Sequence, residues 1–240
     1  MNKVKSRNHI GQEIGFTVDD WRACQLPSRT DMNGRFCRLE VLNVDKHAEG
    51  LYHSFSKDTN QHNWTYLPYG PFNEYESFYL WLKDICLSTD PLFHTVIDKH
   101  TQSAVGMASY LRINPKVGVI EVGHIHFSPK LQQTVMSTEA MYLMMQRVFD
   151  ELGYRRYEWK CDALNAKSRK SAERLGFTFE GVFRQATMYK GRNRDTAWYS
   201  IIDSDWPKIK KAFQSWLNPE NFDKSDQQKT KLQMTLDLDN

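Results

Sequence analysis

Hydrophobic positions along the chain change their spacing several times, and each change marks an element. From Arg35 to Leu42 the residues alternate, with Phe36, Arg38 and Glu40 opposite Cys37, Leu39 and Val41, which predicts a strand. Asn43 or Asp45 stands where a helix to about Ser56 needs its cap. A second helix is expected from Asn73 to Leu87, with Phe78, Trp81, Leu82 and Ile85 on one side. Strand-like runs follow at Leu92–Asp98, Ala104–Arg112 and Val117–Phe127, the last two joined by an Asn114-Pro115-Lys116 turn. Met141, Met144, Met145, Val148, Phe149 and Leu152 then fall on one face of a long helix from Thr134, ended by Gly153. Their side chains are read as core, since methionine fills irregular gaps.

Tyr157, Trp159 and Cys161 alternate as another strand, and Asn165 can cap a short helix ending before Gly176. Phe177 opens the final strands, joined through Arg192–Asp195 and closing with Ala197–Ile202. Trp206, Ile209, Phe213 and Trp216 line a terminal helix over 205–217, and residues 219–240, almost wholly polar, read as a frayed tail. The order implies an α+β (mixed α/β) fold with the long helix packed on a mixed sheet. Three segments are expected: an extension at 1–34 that wraps the body through 24–31, a domain at 35–206, and a helix with its tail at 207–240.

Composition narrows the function classes. The 240 residues are 40% hydrophobic and 25% charged, a globular balance, and mean hydropathy is −0.66. No apolar run reaches the length of a membrane span, and no apolar stretch follows the basic start, so the cytoplasm is the expected compartment. Net charge is only +3, against a dominant nucleic-acid surface. Cys24, Cys37, Cys86 and Cys161 lie too far apart for a zinc or dithiol motif and read as free thiols. Phosphate-loop, dinucleotide, nucleophile-elbow and zinc-protease motifs are absent. What remains is a junction: strand Glu121–Phe127, the turn Ser128-Pro129-Lys130-Leu131, and the helix start Gln132 to Thr138. Free N–H groups at such a start favour phosphates.

Those residues carry a resemblance. Glu121-Val122-Gly123-His124-Ile125-His126-Phe127-Ser128-Pro129 followed by Thr138-Glu139-Ala140 resembles the acetyl-CoA segment of the GNAT N-acetyltransferases. Asp162-x-x-Asn165-x-x-Ser168-Arg169, Glu173-Arg174-Leu175-Gly176-Phe177, Gly181-Val182-Phe183-Arg184 and Asp195–Ser200 with Trp206 resemble its later parts, in the branch of the ribosomal-protein N-terminal acetyltransferases. The resemblance implies a V-splayed, mostly antiparallel mixed sheet flanked by helices, with acetyl-CoA in the splay and no metal. Ile125, His126 and Phe127 would offer backbone groups to pantetheine. Gln132, Gln133, Thr134, Val135, Met136, Ser137 and Thr138 would hold the pyrophosphate. Asn165 would contact the pantetheine or thioester end, and Arg169 a phosphate. Val135 and Ser137 stand where the family carries small residues, and valine does not readily take positive φ.

The implied chemistry is direct attack of an amine on the thioester, which needs a base. Glu121 matches a family base position; otherwise it is an exposed or edge carboxylate. His124 is a second candidate base, and with His126 it shares one face without a third metal ligand. Ser168 is a candidate proton donor to the leaving thiolate, or else a capping residue, because Ala172 replaces the family's usual tyrosine. Trp64, Tyr66 and Tyr69 would lie where relatives bind the acceptor, or else pack their proline-rich loop onto the sheet. The implied partners are acetyl-CoA and an amine, on a protein N-terminus or a small molecule. A catalytically silent acyl-CoA-binding module is the alternative. An RNA- or ribosome-associated protein using Lys190–Arg194 is another; that run otherwise reads as a solvated hairpin tip.

Overall fold

The computed structural model describes residues 6–224 and 227–234. A small hairpin of β1 (Ser6–Arg7) and β2 (Glu13–Ile14) precedes the main sheet. That sheet has eight strands in the order β3-β4-β5-β6-β7-β8-β10-β9. They are β3 (Met32–Asn33), β4 (Cys37–Val41), β5 (Leu92–Asp98), β6 (Ala104–Asn114), β7 (Val119–Phe127), β8 (Arg156–Asp162), β9 (Thr178–Tyr189) and β10 (Arg192–Ile202). Every neighbouring pair is antiparallel except β7 and β8.

Five helices flank it: α1 (Val44–Phe55), α2 (Tyr75–Ile85), α3 (Val135–Gln146), α4 (Ala166–Arg174) and α5 (Trp206–Leu217). Asn43, Thr134 and Asn165 cap α1, α3 and α4 by accepting an N–H three residues on. α1 and α2 close one face over β4 to β6, around Phe55, Phe78, Phe93 and Met107. α3 and α5 close the other face. The Met face of α3 is core as expected, yet the burial goes further, covering every residue from Thr138 to Met145. Tyr142 stacks on Trp206 and Phe213 of α5, so the side of α3 away from the sheet is covered too.

That packing corrects the segment boundaries read from sequence. The core runs without a break through α5, and β3 already belongs to the sheet, so the domain exceeds 35–206 at both ends. Residues 24–31 do wrap: Cys24 N–H donates to Pro115 O, and Arg147 holds the carbonyls of Thr30 and Asp31. The described tail is docked rather than frayed. Phe222 is buried, Leu232 and Met234 pack on the core, and Trp216 Nε1 donates to Thr230 O at 3.0 Å. A few apolar residues at wide spacing suffice once a groove exists to receive them. Residues 225–226 and 235–240 of the expected tail lie outside the described residues.

Candidate functional site

The two parallel strands part. β7 and β8 pair from Val119–Arg156 to Val122–Trp159, and there the ladder ends although both strands continue. The cause is a bulge: His124 and Ile125 together stand opposite Ala108 of β6, and His124 takes φ 50°. From Gly123 to Phe127 the side of β7 facing β8 is therefore a wedge with unladdered backbone. A strained non-glycine residue at such a place commonly accompanies function.

At one mouth of the wedge lies the start of α3. Leu131 and Gln132 N–H donate to Ser128 O, closing a tight turn after β7. Gln133 takes the left-handed turn at φ 59°, and Val135 is simply the first helical residue. Positive φ is thus required at Gln133 and not at Val135. Thr134 Oγ1 accepts Ser137 N–H at 3.1 Å and Thr134 O accepts Thr138 N–H, which leaves Val135 and Met136 N–H for an outside anion. Arg174 of α4 donates to Thr138 Oγ1 at 3.1 Å, bringing a cation to this turn. Arg169, the sequence candidate, points elsewhere: its guanidinium donates to Tyr199 Oη and Ala163 O and stacks on Phe179.

The other mouth is roofed by the aromatic loop between α1 and α2. Asn63 Nδ2 and Gln132 Nε2 donate to Phe127 O on the β7 arm. Tyr66 Oη donates to Leu164 O after β8 at 3.1 Å, and Lys190 Nζ from the β9–β10 turn donates to Trp64 O at 2.8 Å. The loop therefore ties both arms together, and Lys190, on an exposed hairpin tip, reaches back to it. Trp64 is buried against His126, with ring centroids 3.9 Å apart, while Tyr69 stacks on His124. Burial, and then Arg112, pushes His124 down to about 4; burial alone takes His126 to about 3, so both are neutral near pH 7. Tyr69 Oη lies 3.2 Å from His124 Nδ1.

Glu121 sits at the apex of the wedge, 3% exposed and on a central strand, so it is neither an exposed nor an edge carboxylate. Arg112 Nη1 lies 2.7 Å from its Oε1 and Lys160 Nζ 2.8 Å from its Oε2. Lys160 also pairs with Glu158 at 2.7 Å and covers the Trp198 ring at 3.8 Å. Asn165 Oδ1 is held by the Ser168 N–H, leaving its amide nitrogen for a ligand. Ser168 Oγ accepts Trp159 Nε1–H and keeps its own proton to donate. Ala172 is fully buried and offers no proton. Arg112, Lys160 and Arg174 escaped the sequence reading, because a charged residue in an alternating strand or a helix's last turn looks like any solvated one. Among the described residues no group of His, Cys, Asp and Glu is arranged to hold a metal ion, and no helix is long and apolar enough to cross a membrane.

Comparison with known proteins agrees with this architecture. Residues 38–178 match the family model of the acetyltransferase (GNAT) domain. A crystal structure of a GCN5-related N-acetyltransferase from Brucella melitensis is 46% identical, covering 90% of this chain and 97% of its own, with a TM-score of 0.87. A GNAT-family acetyltransferase structure from Chromobacterium violaceum ATCC 12472 is 38% identical over 80% of this chain and 95% of its own, with a TM-score of 0.75. The microcin C7 self-immunity acetyltransferase MccE, solved with acetyl-CoA and AMP, is 21% identical over 70% of this chain and 93% of its own, at a TM-score of 0.62. That last likeness is one of fold. No curated protein matches the sequence. On the family model and the close structural relatives together, the chain belongs to the GNAT family of acetyltransferases.

Proposed function

We propose that the protein transfers the acetyl group of acetyl-CoA to a primary amine in the cytoplasm, by direct attack on the thioester. The carrying observation is the wedge between β7 and β8 opening beside an α3 start with two free N–H groups and Arg174. A diphosphate fits that end, and the unladdered edge of β7 fits the amide-bearing pantetheine arm. The amine nitrogen bonds to the carbonyl carbon, the carbon–sulfur bond breaks, and CoA leaves as thiolate. Glu121 takes the amine proton, directly or through water, with His124 as the second candidate base. Ser168, beside Asn165, returns a proton to the thiolate. Trp64, Tyr66 and Tyr69 border the acceptor side. The resemblance to the ribosomal-protein N-terminal acetyltransferases makes a peptide N-terminus the first acceptor to test, ahead of small amines.

One observation favours the silent acyl-CoA-binding alternative: Ala172, fully buried, stands where the family usually carries a tyrosine and offers no proton to the leaving thiolate. Incubating the protein with acetyl-CoA and a panel of peptides and amines, reading free thiol, separates the two. Thiol release that depends on the amine supports transfer. Tight CoA binding without release under any amine supports the silent module. The RNA-associated alternative, which uses the run Lys190–Arg194, is tested by RNA binding at low salt and its steep loss as salt rises.

A further inference from the structure

On the face of the sheet opposite α3 lies a second opening that acetyl transfer does not use. It is a cavity of about 620 Å³ between the outer flank of α1, the strand β4 and the β5–β6 turn. That volume is in the range of small-molecule sites, roughly 300–1,000 Å³. Its wall carries four fixed cations, Arg38, Lys46, Lys57 and Lys130, and among the described lining residues Glu40 is the one carboxylate. Arg38 and Lys46 both pair with Glu40, and Lys130 pairs with Asp98 behind the wall at 2.7 Å. Four cations against these two carboxylates leave two positive charges over. Lys57 forms no ion pair among the described residues and is exposed at the end of α1.

Burial alone would raise the Glu40 carboxyl, but Lys46, Arg38 and His47 outweigh it and hold it at about 2, so that negative charge is already neutralised locally. The cavity is also separate from the wedge. Along β4, Cys37 and Leu39 face the α3 side of the core, whereas Arg38 and Glu40 point to the α1 side and line the cavity. Lys130 alone among the lining residues lies in the turn that leads into the α3 start.

We propose that this cavity binds a phosphorylated small molecule at a site distinct from that of CoA. Three of its four cations are lysines, which meet phosphate as mobile point charges. The recess is concave and walled by helix, strand and turn, which suits a compact ligand rather than an extended polyanion. Its volume far exceeds one phosphate, so a sugar phosphate or nucleotide is the class it fits.

The test is calorimetric titration of the full chain with inorganic tripolyphosphate in the presence of saturating CoA, which blocks the α3 start. One remaining site is expected, with affinity falling as salt rises. Lys57→Glu should weaken it at least tenfold and Lys57→Gln less, with CoA affinity and the melting curve of both variants unchanged. The proposal is overturned if CoA abolishes tripolyphosphate binding, if no binding occurs at low salt, or if the Lys57 variants bind like the parent.

Discussion

Lys160 Nζ lies 2.8 Å from Glu121 Oε2, one residue beyond the last rung that β7 and β8 share. The candidate base is thus clamped at the point where the strands part, with Arg112 on its other oxygen. Glu121→Gln should lower kcat by about 10²–10⁴ with little change in acetyl-CoA affinity. Lys160→Met removes the ammonium that holds Glu121 Oε2 and should lower kcat with little change in acetyl-CoA affinity. An unchanged kcat in Glu121→Gln would pass the role of base to His124 or to water.

Arg174 is expected to hold the anionic end of CoA. Arg174→Ala removes a charge-assisted contact worth about 1.5–3 kcal/mol, or roughly ten- to a hundredfold in CoA affinity. Pantetheine, which lacks the diphosphate, should bind both proteins alike, whereas Arg169→Ala should leave CoA affinity nearly unchanged. Titrations with the two ligands check this; equal loss for both would mean that Arg174 acts through the fold.

Glu139 ties α3 to the first long strand. Its carboxylate accepts the N–H groups of Arg35, Phe36 and Cys37 at 2.6, 2.7 and 2.8 Å. A Cβ on Gly34 would run into that carboxylate, so glycine is required there by close approach. Glu139→Ala leaves three donors without their acceptor and should cost at least about 3 kcal/mol in denaturant unfolding. Gly34→Ala should also destabilise, by displacing the carboxylate from those same bonds.

Acid should destabilise the fold before any surface carboxylate is protonated. Burial lowers His94 and His126 to about 3, and burial with Arg112 lowers His124 to about 4, all from 6.5. The folded protein resists protonation that the unfolded chain accepts. Stability from these groups is complete above pH 6.5 and is lost as pH falls through the folded values near 4 and 3. Each contributes a slope of up to about 1.4 kcal/mol per pH unit. Replacing His126 with Phe, between Phe55 and Trp64, should flatten the fall of Tm with pH; an unchanged profile would show that His126 is not protonated only on unfolding.

Removing residues 219–240 should lower Tm measurably, in contrast to what the polar composition of that stretch suggests. Phe222 packs edge-on against Trp216, Lys229 N–H donates to Asn221 O, and Met234 lies against Gly176. An unchanged melting curve would show that these contacts add no net stability.

Periodicity carries the elements because it reflects which side of each faces a core, and that pattern is local. The strand at 92–98, the one from 104 up to Arg112, the cap Asn165 and the Met face of α3 could be read directly, whereas the choice of Asn43 over Asp45 and the capping by Thr134 came with the structure. The junction of β7 with α3 was legible for the same reason, since strand, turn and helix start are contiguous in the chain.

What tertiary structure alone decided was the partner of each charge. Nothing local tells that Lys160 turns inward to Glu121, that Arg174 and not Arg169 reaches the α3 start, or that Lys190 crosses to Trp64 O. Nor does composition reveal that Arg38, Lys46, Lys57 and Lys130, drawn from three separate segments, line one cavity. Hydrophobic patterning is written at spacings of two to four residues, whereas the contacts of Lys160 with Glu121, Arg174 with Thr138 and Lys190 with Trp64 join segments tens of residues apart. Their geometry exists only once the sheet has set its strand order.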